Sequence, residues 1–261
     1  MHLCYELFGR YIKEYKITST DTDELYKIMF EISITAYNHK DTREPKYSEP
    51  MVENIHHKIF LNILQAGLQD ERPKGLLAKF VDYYITNAKE FNYFKDTEFE
   101  KKFALDNELK PYIIKDEKDS KYFIKGFIDR YDNLSKHINI VDYKSKKVKY
   151  PDNQKQAQID EYKDIQLALY LLFAKQQHPD KTFDAHLLSF KGNDKGVAFA
   201  SMQDIDEPRL KKLIFDVKKS IEDGEFSFDN SDEKVCSWCD MKFICHESVL
   251  SKNKIEELED E

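Results

Sequence analysis

The stretch KYFIKGFIDRYDNLSKHINIVDYKSKKVK, residues 121–149, predicts two β-strands joined by a short polar turn. Side chains on a strand alternate between its two faces, so Asp129 is expected on one face between two aromatic residues. On the second strand, Asp142 and Lys144 follow two isoleucines on a single face. The stretch therefore predicts two carboxylates and one ammonium emerging beside core residues of neighbouring strands.

A buried charge is costly unless it is paired with an opposite charge or binds a metal ion. Asp129 and Asp142 beside Lys144 can be balanced by a hard divalent cation, which takes oxygen ligands and leaves positions for water and phosphate. Lys144 would then orient the attacking water and offset charge on a phosphate oxygen. Glu98 or Glu100, on a preceding predicted strand, could approach the ion or be exposed strand charge. The alternative for the whole set is a strand-end salt bridge without chemistry, because Asp-x-Lys is common by chance.

The segments GFIDRYD and IVDYKSKK resemble the G-x-I-D-R-x-D and V-D-Y-K-T-G signatures of the RecB-like branch of the PD-(D/E)XK nucleases. The resemblance implies that Asp129 and Asp142 are metal-binding acids and that Lys144 is the catalytic lysine. It also implies that the backbone carbonyl of Tyr143 is a ligand and that the ion is Mg²⁺ or Mn²⁺. The two residues after the lysine are serine and lysine, where the family usually has threonine and glycine.

A predicted helix from Met51 to Leu68 carries His56 and His57 beside an apolar stripe. His56 lies nearer the middle of the stripe, where a histidine is more often a core residue, whereas His57 lies on its flank and could reach a metal ion. RecB-like nucleases are similar in having a helix with an apolar-His-x-apolar-apolar pattern whose histidine is a metal ligand. His57 fits the following positions better, so the resemblance implies that His57 is the ligand.

The helical stretch after Pro151 contains Gln166 and Tyr170, four residues apart and therefore on one face of an otherwise aliphatic run. Buried glutamine and tyrosine need hydrogen-bond partners, which either DNA or the protein backbone can supply. Gln158 and Tyr162 repeat the spacing slightly earlier. The IQLALY context resembles the Q-x-x-x-Y motif that follows the lysine strand in RecB-like nucleases, which implies that Gln166 and Tyr170 are the DNA-binding pair.

Three of the four cysteines, Cys236, Cys239 and Cys245, have the spacing C-x2-C-x5-C, and Cys4 is far away in the sequence. In a cytosolic protein such a cluster favours metal or iron–sulfur ligation over disulfides. Four thiolates suit zinc and a 4Fe-4S cluster equally by count. The arrangement resembles bacterial AddB nuclease domains and four-cysteine CRISPR-associated nucleases, which implies a structural 4Fe-4S cluster on these four residues. Zn²⁺ is the alternative, and His246 could then replace Cys4.

The 261 residues, 41% hydrophobic and 34% charged, are typical of a globular protein rather than a disordered one. The sequence has no run of about 18 apolar residues and no signal-peptide profile, so we expect a cytoplasmic protein that contacts no membrane. The net charge of −8 argues weakly against nucleic-acid binding. However, four of the six residues from Lys144 to Lys149 are lysines, which places positive charge directly beside the candidate site.

The order of predicted helices and strands indicates an α/β fold with a mixed central sheet. Together with the resemblance, it predicts one restriction-endonuclease-like nuclease domain over residues 1–261, with N-terminal helices in 1–95, a nuclease core in 96–225 and a cysteine-bound segment in 226–261. The resemblance implies a metal-dependent DNA nuclease, most simply an exonuclease of DNA repair, recombination or CRISPR and phage DNA processing. Its partners would be DNA and a helicase subunit or CRISPR or phage recombination proteins. The alternative is a non-catalytic DNA-binding or assembly module of a helicase–nuclease complex.

Overall fold

The computed structural model of the chain describes residues 1–38, 55–103, 112–115, 121–144, 159–162, 164–191 and 198–224. Its helices are α1 (His2–Glu14), α2 (Thr22–Asn38), α3 (Ile55–Leu64), α4 (Leu76–Asn87), α5 (Gln166–Gln177) and α6 (Glu207–Asp223). Its strands are β1 (Thr97–Phe103), β2 (Tyr112–Lys115), β3 (Lys121–Ile124), β4 (Gly126–Asn133), β5 (His137–Tyr143), β6 (Thr182–Ser189) and β7 (Ala198–Met202). The chain divides into two compact units, Met1–Lys211 and Lys212–Glu261. The five-stranded sheet lies in the first unit. No helix among the described residues is long and apolar enough to span a membrane.

Five strands form one sheet in the order β1-β4-β5-β6-β7. β5 and β6 are parallel, and every other neighbouring pair is antiparallel. Parallel neighbours require a crossover connection, and α5, which lies between them in the sequence, packs on β6. This mixed sheet with flanking helices confirms the predicted α/β fold.

The first of the two strands predicted within residues 121–149, which covers Tyr122 to Asp132, is interrupted at Lys125. Before this residue, β3 pairs with β2 in a separate two-stranded antiparallel sheet, and after it β4 enters the five-stranded sheet. The strand-like sequence pattern continues across Lys125, so the sequence did not predict this break. The acid-bearing half of the predicted strand, which includes Asp129, is nevertheless in the main sheet.

Aromatic side chains hold α1 and α4 against the sheet. Tyr5 and Phe8 of α1 and Phe80 of α4 are fully buried. The ring of Tyr5 stacks on Phe80 with 4.1 Å between centroids, and it meets the ring of Tyr143 edge-on at 5.0 Å. Aromatic pairs at these distances contribute free energy beyond the area they bury. The first turns of α1 are therefore fixed beside the last residue of β5.

A glycine allows α1 to approach β1 closely. A Cβ atom placed on Gly9 would lie only 1.9 Å from Cζ of Phe99. After Gly9 in the helix, the Arg10 side chain donates a hydrogen bond to the Phe99 carbonyl at 3.2 Å, and the Lys13 side chain donates one to the Thr97 carbonyl at 2.8 Å. The position of α1 is thus set by side-chain hydrogen bonds to the β1 backbone and by the close contact at Gly9, as well as by apolar burial.

The arginine and second aspartate of GFIDRYD form an ion pair inside the protein. Arg130 and Asp132 are fully buried, and their closest N–O distance is 2.8 Å. Asp132 also accepts hydrogen bonds from the Thr97 hydroxyl and the Asn139 amide, both at 2.7 Å. Because alternate residues of a strand face opposite sides, this pair lies on the other face of β4 from Asp129. These two charges therefore belong to the core rather than to the candidate site.

Candidate active site

The structure brings Asp129 and Asp142 together on one face of the sheet. The antiparallel register pairs Tyr131 of β4 with Ile140 of β5 and Arg130 with Val141, so the next position brings Asp129 opposite Asp142. The Asp129 side chain is 16% exposed and that of Asp142 is 6% exposed. Oδ2 of Asp129 accepts the backbone N–H of Tyr143 at 2.7 Å, which links the first acid to the residue after the second.

Lys144 lies beside the second acid, and Gln166 connects the two. The Lys144 ammonium is 2.5 Å from Oδ2 of Asp142. Gln166, the first residue of α5, accepts a hydrogen bond from this ammonium at 2.7 Å and donates one to Oδ1 of Asp142 at 2.7 Å. The amide of Gln166 thus joins acid and lysine through its oxygen and its nitrogen.

Tyr170 connects this group to β4. Its hydroxyl accepts a hydrogen bond from Gln166 Nε2 at 2.8 Å and donates one to the backbone carbonyl of Phe127 at 2.8 Å. Gln166 and Tyr170 are four residues apart in α5 and share a face, as the sequence predicted. Their side-chain tips are directed at the acid, the lysine and a strand backbone. The predicted contact of both residues with DNA stays a prediction.

The charge balance of the site favours a cation. Burial, and next the charge of Asp142, raise the pKa of Asp129 to about 6. Oδ2 of Asp142 is buried and forms an ion pair with the Lys144 ammonium. Two desolvated carboxylates facing one ammonium leave negative charge that an ion with oxygen ligands would balance.

The predicted histidine ligands lie at the start of α3. The structure places His56 and His57 in this helix, but their side chains are outside the described part of the chain. Among the described residues, no three His, Cys, Asp or Glu side chains are grouped so that they could hold a metal ion. The assignment of His57 and of the Tyr143 carbonyl as ligands therefore stays a prediction.

Of the predicted iron–sulfur ligands, the structure describes Cys4 alone. It lies in α1 and is 4% exposed, and burial raises the pKa of its thiol. The remaining members of the predicted cluster, and the alternative zinc ligand, lie outside the described residues: Cys236, Cys239, Cys245 and His246. The 4Fe-4S cluster and its zinc alternative both stay predictions.

Two further residues approach the acids. Nδ1 of His2, the first residue of α1, is 3.7 Å from Oδ2 of Asp129, and no sequence motif indicated this approach. Glu100 lies in β1 between Phe99 and Lys101, which pair with the two neighbours of Asp129 in β4. The φ angle of Glu100 is 51°, in the left-handed region that residues other than glycine seldom adopt and that often occurs at functional sites. Glu100 is one of the two acids on the preceding strand that the sequence already suggested could approach the ion.

Comparison with known proteins identifies the class. The family described as the PD-(D/E)XK nuclease superfamily matches residues 25–246. Because this match covers most of the chain, the protein belongs to the PD-(D/E)XK nuclease superfamily. Its five-stranded mixed sheet with flanking helices is the restriction-endonuclease-like fold, as predicted. Membership supports a nuclease of the phosphodiesterase type, and nucleases of this superfamily generally use Mg²⁺ or Mn²⁺.

One solved structure that matches the chain is "Crystal structure of SSO0001". It is 15% identical to this chain, with a TM-score of 0.34 over 66% of this chain and 75% of that one. A likeness this distant adds nothing to the assignment. No curated protein sequence matches the chain.

Proposed function

We propose that the protein is a divalent-metal-dependent deoxyribonuclease of the RecB-like, iron–sulfur branch of its superfamily, and that it acts as an exonuclease on DNA ends. One observation carries the catalytic part of this proposal. Asp129 and Asp142 lie opposite each other on neighbouring strands, and Lys144 lies directly beside the second acid. This is the order of acid, acid and lysine that hydrolysis of a phosphodiester requires in this superfamily.

The acids would hold Mg²⁺ or Mn²⁺ together with the Tyr143 carbonyl and His57. The ion, when bound, lowers the pKa of a coordinated water and stabilises negative charge on the phosphate. The burial of both carboxylates, and the raised pKa of Asp129 beside Asp142, support a cation at this position. The donors among the described residues are carboxylate oxygens, which both ions accept.

Lys144 orients the attacking water and offsets charge that develops on a phosphate oxygen. Gln166 holds the lysine and the second acid in a fixed relation, since one amide group bonds to both. Tyr170 ties Gln166 to the backbone of β4. We assign these last two residues a positioning role, and their predicted contact with DNA would come in addition to it.

The substrate and the partners rest on the resemblance. DNA is the substrate expected for this branch, and the lysine-rich run from Lys144 to Lys149 supports binding of a phosphate backbone. The 4Fe-4S cluster would be held by the four cysteines already named, with Zn²⁺ as the alternative. A helicase subunit, or CRISPR or phage recombination proteins, would deliver the DNA in a cytoplasmic setting.

Cleavage assays on end-labelled linear DNA and on covalently closed circular DNA test the proposal. With Mg²⁺ or Mn²⁺ the wild-type protein is expected to degrade linear DNA and spare the circle, and excess EDTA should stop the reaction. Asp142→Asn and Lys144→Ala should abolish cleavage, whereas the exposed controls Asp23→Asn and Lys175→Ala should not. Full metal-dependent activity in Asp142→Asn would overturn the site assignment. DNA binding without cleavage by the wild-type protein would indicate the non-catalytic module instead.

The absorbance spectrum of anaerobically purified protein, with iron and zinc counts, tests the cluster separately. Iron with a brown colour supports the 4Fe-4S assignment, and Cys4→Ser should then lower the iron content. Stoichiometric zinc without iron would replace the cluster by a structural zinc site.

A further inference from the structure

The face of β4 that carries Asp129 is open to solvent at its first residues. Phe127, Asp129 and Tyr131 share this face, because side chains alternate along a strand. Tyr131 is fully buried, whereas the Asp129 side chain is 16% exposed and Phe127 is 53% exposed. The phenyl ring of Phe127 therefore lies at the solvent-exposed end of the face that carries the first acid.

The backbone of Phe127 is held by the residues of the candidate site. The Tyr170 hydroxyl donates a hydrogen bond to the Phe127 carbonyl at 2.8 Å. The same hydroxyl accepts one from Gln166 at 2.8 Å, and the amide of Gln166 bonds to the second acid and to the lysine. A single exposed aromatic residue is ordinary on a protein surface. This one differs because its backbone is fixed relative to Asp142 and Lys144 while its ring remains accessible.

Basic side chains flank the Phe127 ring. Lys102 of β1 pairs directly with Phe127 in the antiparallel register, so the two side chains emerge on one face with their Cβ atoms about 5 Å apart. Lys102 is exposed, and so is Lys125, two residues before Phe127. The chain as a whole carries a net charge of −8, so this positive charge is local. Aromatic rings among basic side chains are typical of surfaces that bind single-stranded nucleic acid, where bases stack on the rings and phosphates meet the charges.

We propose that the Phe127 ring is a stacking platform for a nucleobase beside the scissile phosphate, and that the site therefore takes single-stranded DNA. This inference rests on the proposed nuclease function. Phe127 and Asp129 are two positions apart, about 7 Å along the strand. A base joined through its sugar to a phosphate at the acids can reach across that distance. In a duplex each base is paired and stacked between its neighbours, so the ring can accept a base only where the strand is unpaired.

DNA binding by the full-length protein in EDTA tests the platform without a cleavage step. Fluorescence anisotropy measures affinity for three labelled probes of equal length: an oligothymidylate, a fully abasic strand and a duplex. The wild-type protein should bind the oligothymidylate most tightly. Phe127→Ala should weaken that binding about tenfold, the loss of one base stack, and should leave binding of the abasic strand unchanged. Tyr15→Ala, which removes an exposed ring at the far end of α1, is the matched control and should change neither affinity.

Conservative variants separate stacking from burial and from charge. Phe127→Leu keeps an apolar side chain on the strand but cannot stack, so it should behave like Phe127→Ala. Phe127→Trp should retain the affinity, and its indole fluorescence should be quenched by the oligothymidylate; the wild-type protein, with Trp238 alone, gives the background. Lys102→Ala should weaken binding of the oligothymidylate and the abasic strand equally, and it should lower the salt dependence by about one charge. Circular dichroism checks that each variant is folded.

The outcomes separate this inference from the proposed function. Wild-type affinity for the oligothymidylate in folded Phe127→Leu, or an equal loss of affinity for the abasic strand, overturns the platform. Failure of the wild-type protein to bind the oligothymidylate, or tighter binding of the duplex, overturns the assignment of single-stranded DNA. In each of these cases, loss of cleavage in Asp142→Asn would still support the nuclease. A wild-type protein that stacks a base on Phe127 but cleaves no DNA with Mg²⁺ or Mn²⁺ overturns the nuclease and supports the platform.

Discussion

Asp129→Asn should stabilise the metal-free protein, although it should destroy the nuclease. Burial and the charge of Asp142 raise the pKa of Asp129 from 3.8 to about 6. The unfolded chain, with the ordinary pKa, releases the proton before the folded protein does. The free energy of unfolding therefore falls as pH rises from about 4 to about 6. Above about pH 6 the full destabilisation by the Asp129 charge remains. Asparagine has no charge to desolvate and keeps an oxygen that can accept the Tyr143 N–H.

The size of the effect follows from the shift in pKa. About two pH units at 1.36 kcal/mol per unit correspond to about 3 kcal/mol. The side chain of Asp129 is 16% exposed, so solvent screens little of its charge, and we take this figure as an upper bound. At pH 8 in EDTA, Asp129→Asn should therefore unfold at a higher urea concentration than the wild-type protein. The difference should shrink towards zero as the pH approaches 4.

Divalent metal should make the wild-type protein more stable than the Asp129→Asn variant. At a free Mn²⁺ concentration of 100 times the dissociation constant, binding adds about 2.7 kcal/mol to the stability of the wild-type protein. The Asp129→Asn variant should gain little stability from Mn²⁺. Urea unfolding followed by circular dichroism, at pH 8 and pH 4.5, with EDTA or with Mn²⁺, measures all these differences. The variant Asp180→Asn, at an exposed position outside the helices and strands, should match the wild-type protein throughout. The prediction is refuted if Asp129→Asn is less stable than the wild-type protein in EDTA at pH 8, because the charge of Asp129 would then stabilise the folded protein.

Three more expectations follow from the geometry. Gln166→Ala should lower the single-turnover cleavage rate about 100-fold, because Lys144 would be misplaced. DNA affinity, measured by fluorescence anisotropy, should be almost unchanged. A normal cleavage rate with weakened DNA binding would instead show that Gln166 acts only through contact with DNA. Arg130→Met should cost about 3 to 5 kcal/mol in urea unfolding because Asp132 is left as a buried unpaired charge, and a loss below about 1 kcal/mol would show that water reaches the pair. Gly9→Ala should cost about 1 to 3 kcal/mol, since the added methyl group collides with Phe99, and an unchanged melting temperature would show that α1 can shift without penalty.

Local sequence was sufficient to place the proposed catalytic residues on their elements. Alternation along a strand is imposed by backbone stereochemistry, so the shared face of Asp142 and Lys144 and the spacing of Gln166 and Tyr170 follow from the sequence alone. The mixed sheet was predicted in the same way, from the order of helices and strands. The break at Lys125 was not predicted, because the sequence on both sides of it has a strand-like pattern and the two halves differ only in the strand with which they pair.

The contacts between these elements were decided by tertiary structure. The sequence did not show that Gln166 bonds to both Asp142 and Lys144, since the depth and rotation of α5 on the sheet set that contact. It also did not indicate His2, which reaches Asp129 only because buried aromatic residues and Gly9 hold α1 at one position. Local periodicity is fixed by neighbouring residues, whereas the approach of distant residues depends on how whole elements pack. The sequence of this nuclease therefore determined its acids and lysine, and the packing of two helices determined which side chains surround them.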